Sequence, residues 1–131
     1  MANEIPSFQQ LKVWRQAMDL VVRVYDVTRS YPAEERFGLA AETRCASRSI
    51  PYNVAEGKMR FSVAEYRHFA SIARGSSGEL HTQLILASRL GYLPQGPFND
   101  LEQAGERDRP YAPRVGKVFG LTVSLPRPGE G

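Results

Sequence analysis

Three long segments of this chain repeat apolar or small residues at intervals of three and four, a period that fits helices and not strands. In the first, Leu11, Trp14, Met18, Val21, Tyr25 and Thr28 form a heptad seam. Ser7 and Gln10 of "SFQQ" have capping-box spacing, which would open this helix. Tyr31-Pro32 closes it, because the residue before proline is pushed out of helical backbone. The second helix is expected from about Leu39 to Lys58, with Thr43, Ala46, Ile50, Asn53 with Val54, and Gly57 turned inward. Pro51 lacks an amide and crowds the Ser47 carbonyl, so it predicts a kink rather than a stop. A third helix opens at a second capping box, Ser62 to Glu65, and places Tyr66, Phe69, Ala73, Ser76, Leu80, Gln83, Ala87 and Leu90 on one side. Gly91 is its C-terminal cap. Mid-helix, Gly75, Ser76, Ser77 and Gly78 have poor helix propensity, which predicts the close approach of a neighbouring helix.

Three long helices with short connections predict an all-α, antiparallel up-down four-helix bundle, which needs a fourth member. Pro97 to Arg107 starts one well, with proline in the first turn and Phe98, Leu101 and Ala104 on one side. Pro110 and Pro113 then break it, and "GLTVSLPRPGEG" reads as an extended strand or a tail. The 131 residues suit one domain spanning 1–131, with 108–131 atypical. The longest apolar stretches fall far short of the roughly 20 residues that span a bilayer. No basic-then-apolar leader opens the chain, so a soluble, cytoplasmic protein with no membrane partner is expected. The single cysteine, Cys45, excludes an intrachain disulfide and a cysteine-based zinc site, and reads as a small buried apolar residue.

In order along the chain, "FQQLKVWRQAMDL", "YPAEERFGL", "SIPYNVAEG" and "IARGSSGELHTQL" resemble a small bacterial four-helix-bundle family. That family was first noticed as open reading frames inside intervening sequences of 23S rRNA genes. The resemblance runs from Phe8 to Leu93. It implies an up-down bundle, association into a ring of five and no catalytic residue. It also implies kinship with accessory proteins of diversity-generating retroelements, basic barrels that work with a reverse transcriptase and its RNA. The tail departs from the family's fourth helix. A one-nucleotide shift of reading frame near Asp108, with suitable codons, restores a helical seam, so residues 108–131 read as a frameshifted tail; the alternative is a genuine tail, with a fourth helix of about three turns and the bundle's last turns uncovered.

Chemical candidates are few. Glu65 and His68 have the spacing used in di-iron bundles, but a second such motif and two further inward glutamates are missing. With two histidines, no nucleophile elbow and no phosphate loop, neither an enzyme nor a metal or other cofactor is expected. Arg60, Arg67, Arg74 and His81 lie seven apart and trace a basic stripe, to which Arg44 and Arg48 add from the second helix. With a net charge of +3 carried on 14 arginines and 3 lysines, the stripe suits RNA or DNA phosphates. The alternative is that these arginines join subunits, paired with Glu42, Glu56 and Glu79. Structural roles are expected for Trp14 in the seam, for Asn53 on backbone freed by Pro51, and for Glu56 as an arginine's partner. Gly57 is expected to end the second helix with Lys58, and a ligand pocket around Pro51, Asn53 and Glu56 is the competing reading. Two functions follow: a non-enzymatic homo-oligomer, by resemblance a pentamer, that binds RNA or DNA beside a protein partner, or an assembly protein whose arginines form subunit contacts.

Overall fold

Helical periodicity becomes helix in all four expected places. The structure, a computed structural model, describes residues 7–103, 117–118 and 121–122. Its helices are α1 (Lys12–Thr28), α2 (Leu39–Lys58), α3 (Val63–Arg89) and α4 (Gln95–Gln103). None of the described helices is long and apolar enough to cross a membrane.

The capping box at Ser7 does not open α1. Ser7–Gln10 form a separate 3-10 turn, and α1 starts after Leu11, whose extended backbone separates the two and which makes no side-chain cap bond. The Phe8 ring packs edge-on against Trp14, 5.4 Å between centroids. At the start of α2 the N-cap residue is Gly38, which has no side chain to offer; Glu35 Oε1 instead accepts the Leu39 N–H at 3.2 Å. The other oxygen of Glu35 accepts the Tyr92 hydroxyl at 3.0 Å, so one carboxylate caps α2 and holds the turn after α3. That bond raises the pKa of Tyr92 above its usual value.

α3 follows its sequence signals. Ser62 Oγ accepts the Glu65 N–H at 3.1 Å, and replacing Ser62 with alanine is expected to lower stability by about 1 kcal/mol, read as a shift in urea midpoint. At the other end Gly91, at φ 82, completes a Schellman cap: its N–H reaches the Ser88 carbonyl and that of Tyr92 the Ala87 carbonyl.

Helix α2 is the centre of the packing, with α1 and α3 on it. Tyr25 and Thr28 of α1 meet Arg48 and Arg44 of α2, so these helices run antiparallel. Ser49 meets Ser76 while Gly57 meets Tyr66 and Phe69, so α2 and α3 do as well. Pro51 is buried inside α2, which continues through it to Lys58. The core collects Leu20, Val24, Ile50, Val54, Leu80, Leu84, Phe98 and Leu101. Full burial of a side chain of this size contributes about 1.5–3 kcal/mol. Helix α4 contributes Phe98 and Leu101 and contacts both α1 and α3. Two short strands, β1 (Lys117–Val118) and β2 (Leu121–Thr122), pair antiparallel and contact α3 and α1 in turn. The strand expected in "GLTVSL" is met at Leu121–Thr122, whereas the reading-frame shift and the breaks at Pro110 and Pro113 lie outside the described residues.

Three further expectations need correction. Leu90, expected on the inner line of α3, is 50% exposed. Cys45 is exposed on α2, not buried. The buried line of α1 is Val13, Ala17, Leu20, Val24 and Thr28, not the seam drawn through Trp14, Met18 and Tyr25. The two lines sit about 100° apart around the helix axis, one residue's rotation. Both are apolar, so periodicity alone did not choose between them.

Candidate functional site

The basic residues divide by what they touch. Arg44 Nε donates to Thr28 Oγ1 at 2.7 Å and Nη2 to the Tyr25 carbonyl at 3.3 Å. Its guanidinium also lies 4.5 Å from the centroid of the Tyr25 ring. Arg48 Nη1 donates to the Tyr25 hydroxyl at 2.6 Å, the main reason its pKa is raised. A cation at the last turn of α1 faces the negative end of that helix. Arg44 and Arg48 therefore tie α2 to α1.

Arg60 bonds Glu56 of the preceding turn and lies 5.0 Å from the centroid of the Phe69 ring. Glu56 thus takes its arginine from its own hairpin rather than from a neighbouring helix or subunit. Arg67 is half-buried and Arg74 exposed on α3. His81 Nε2 meets Glu102 Oε1 of α4 at 2.6 Å. Positions seven apart drift by about 20° per heptad on a straight helix. The stripe begun at Arg60 therefore runs into α4 at His81.

The α2–α3 crossing is tight and polar at its middle. Asn53 Nδ2 donates to the Ser49 carbonyl at 2.8 Å and to Ser49 Oγ at 3.0 Å, and Ser49 Oγ shares a hydrogen bond with Ser76 Oγ at 2.7 Å. Asn53 thus bonds the carbonyl one turn back, not the Ser47 carbonyl that Pro51 cannot reach. Helix α2 ends at Gly57 and Lys58 as expected, and Gly57 is buried in that last turn, where a Cβ would stand 2.9 Å from Phe69 Cβ. Its role is to admit α3. Glu79, exposed, accepts from Gln83 Nε2 at 3.3 Å.

Glu65 and His68 are both exposed, and the His68 ring packs edge-on to Phe69. Among the described residues no three His, Cys, Asp or Glu side chains gather as a metal site would require. An open cavity of about 370 Å³ lies between α1 and α4, lined by Arg23, Asp26, Val27, Pro97, Asp100 and Leu101. It is not beside Pro51, where the sequence suggested a pocket. Elsewhere, burial pushes the Tyr31 hydroxyl up to about 12, and the Tyr31 ring packs against that of Tyr92 with 5.8 Å between centroids. Glu35, Tyr31 and Tyr92 were not singled out from sequence; "YPAEERFG" shows the carboxylate, but nothing local shows which amide it caps.

The family model for the 23S rRNA-intervening sequence protein matches residues 9–107, most of the chain and all four helices. The chain belongs to this family. No curated protein sequence matches it.

Apolar surface remains where the ties end. Met18 and Val22 of α1 are 40% and 60% exposed, and Tyr52 and Met59 of α2 are 63% and 60% exposed. On α3, Ile72 and Leu86 are exposed on the side away from the core, and a Cβ built on Gly75 or Gly78 meets nothing within 4 Å. The close neighbour expected at residues 75–78 is α2, which meets Ser76 at Ser49, whereas Gly75 and Gly78 of the same run are exposed.

Proposed function

We propose that this protein is a non-enzymatic subunit of a cytoplasmic homo-oligomer, built by seating the α1–α2 face of one copy on the outer face of α3 in the next. The observation that carries this is the double apolar line of α1: one chain buries Val13, Ala17, Leu20 and Val24 and leaves Met18 and Val22 exposed, as it does Tyr52 of α2 and Met59 of the turn after it. Exposed helix glycines cost about 1 kcal/mol each against alanine, and Gly75 and Gly78 give no packing in return within one chain. Two different faces meeting head to tail close into a ring where the rotation between copies closes, and otherwise extend as a filament. The family resemblance sets the expected number of copies at five.

Native mass spectrometry tests this. The unaltered protein is expected as a closed oligomer, while Tyr52→Glu and Gly75→Leu, both at exposed positions, give helical monomers. A monomeric unaltered protein at tens of micromolar would refute the reading. A second reading, contact with RNA or DNA, is supported by the net charge of +3 and by Arg67 and Arg74 on one side of α3. Loss of polyanion binding in Arg67→Gln with Arg74→Gln, with the oligomer intact, supports that reading; dissociation of the oligomer assigns those arginines to subunit contacts.

A further inference from the structure

The end of α2 and its turn into α3 carry chemistry that the core does not require and of which only Met59 belongs to the proposed subunit faces. The residues are Lys58, Met59, Arg60, Phe61 and Ser62, all exposed. Phe61 is the most exposed large apolar residue described, at 106%, and Met59 beside it is at 60%. A ring wholly in water is not held by the core, which leaves both its faces open to a partner.

Around it, cations are laid over rings. The Arg60 guanidinium sits 5.0 Å from the Phe69 centroid and Lys58 Nζ 5.9 Å from that of Tyr66. Arg60 keeps 42% of its side chain exposed, so the guanidinium is not covered on all sides. Across residues 56–68 the bases Lys58, Arg60 and Arg67, with His68, outnumber the acids Glu56 and Glu65. Glu56 is already matched by Arg60.

We infer that this turn holds unpaired nucleotides of a single-stranded nucleic acid. One base stacks on Phe61, a second continues the Phe69–Arg60 stack outward, and Lys58 meets the phosphate between them. Stacking on aromatic rings and on arginine planes is how proteins hold unstacked bases, and it tolerates sequence. A turn this short presents a ring edge and two cations, too little to follow a duplex groove. A lipid wedge would need adjacent apolar residues, whereas Arg60 separates Met59 from Phe61. The inference rests on the second reading above, nucleic-acid contact, and names its place and form. In a ring, cyclic symmetry sets every copy of this turn on the same rim, where several weak contacts along one strand reinforce each other.

Fluorescence anisotropy of the full chain with labelled single strands of about 12 nucleotides, RNA and DNA, and with the duplex of the same sequence, tests it. Single strands are expected to bind more tightly than duplex, the stronger of RNA and DNA naming the source. Phe61→Ala is expected to weaken single-strand binding about tenfold with the oligomer unchanged, and Phe61→Trp to restore it. Unchanged binding in Phe61→Ala overturns the inference; if that binding still falls with Arg67→Gln and Arg74→Gln, nucleic-acid contact survives without this site. Binding of no polyanion by the unaltered protein removes both. Dissociation of the oligomer in Phe61→Ala makes the ring a subunit contact, and loss of sedimentation with anionic vesicles instead of strand binding makes it a membrane contact; each overturns the inference.

Discussion

Replacing Gly57 with valine is expected to lower the unfolding free energy by about 3 kcal/mol, measured by urea denaturation at fixed protomer concentration. A Cβ at this position stands 2.9 Å from Phe69 Cβ and 3.3 Å from both Tyr66 Cδ1 and the Tyr66 carbonyl. Two of those atoms belong to the backbone or the root of a side chain, and no rotamer change removes them. The helices must separate, which loosens the contacts on either side of the crossing. Those include the Ser49, Asn53 and Ser76 hydrogen bonds two turns along α2. Alanine sharpens the argument. Gly57→Ala adds the same Cβ but also gains up to about 1 kcal/mol of helix propensity, so a smaller net loss is expected. Gly75→Ala and Gly78→Ala, where a Cβ meets open space, should gain that propensity and stabilise the isolated chain. A valine variant with an unchanged midpoint would mean that α2 and α3 do not cross this closely.

This contrast among three glycines shows what sequence reading reached and where it stopped. The run at residues 75–78 was legible as a place of close approach, met by α2 at Ser76, whereas Gly57 was legible only as an inward-facing end of α2. For Gly57 the neighbour is α3 of the same chain. For Gly75 and Gly78 it is absent among the described residues, and spacing within one chain holds no information about a second copy. The same limit explains α1. Its two apolar lines are equally periodic, and the bulkier one, through Trp14, Met18 and Tyr25, drew the eye as the core. Packing chose the line with Ala17 and Val24, because those short side chains let α1 lie close on α2. The ends of α3 were legible because Ser62 and Gly91 act on amides and carbonyls within a few residues. Glu35 was not, since its second bond reaches Tyr92, far along the chain. The basic stripe divides by intrachain partner for a related reason. Seven-residue spacing marks a line on an ideal helix, but which part of the line is solvent depends on where α1 and α4 lie, and those helices claim Arg44, Arg48 and His81.

Arg44→Ala is the sharpest test of that division, with an expected loss of about 2–3 kcal/mol. The guanidinium makes two hydrogen bonds to α1, one to Thr28 Oγ1 and one to the Tyr25 carbonyl, and covers the Tyr25 ring. Thr28 is buried and its hydroxyl donates to the Val24 carbonyl at 2.7 Å, so that oxygen accepts from Arg44 while its proton points elsewhere. Truncation leaves the acceptor side of a buried hydroxyl unpaired and removes the cation from the end of α1. Arg44→Lys keeps the charge but cannot reach both oxygens while lying flat on the ring, so it should recover less than half of the loss. Pairing Arg44→Ala with Thr28→Val in a double-mutant cycle should give a coupling of about 1 kcal/mol or more, since each side chain is the other's partner. The opposite result is equally informative. If Arg44→Ala leaves stability within about 0.5 kcal/mol of the unaltered protein and instead reduces polyanion binding, then Arg44 leaves α1 in solution. The arginine would then belong to the basic face that its spacing first suggested.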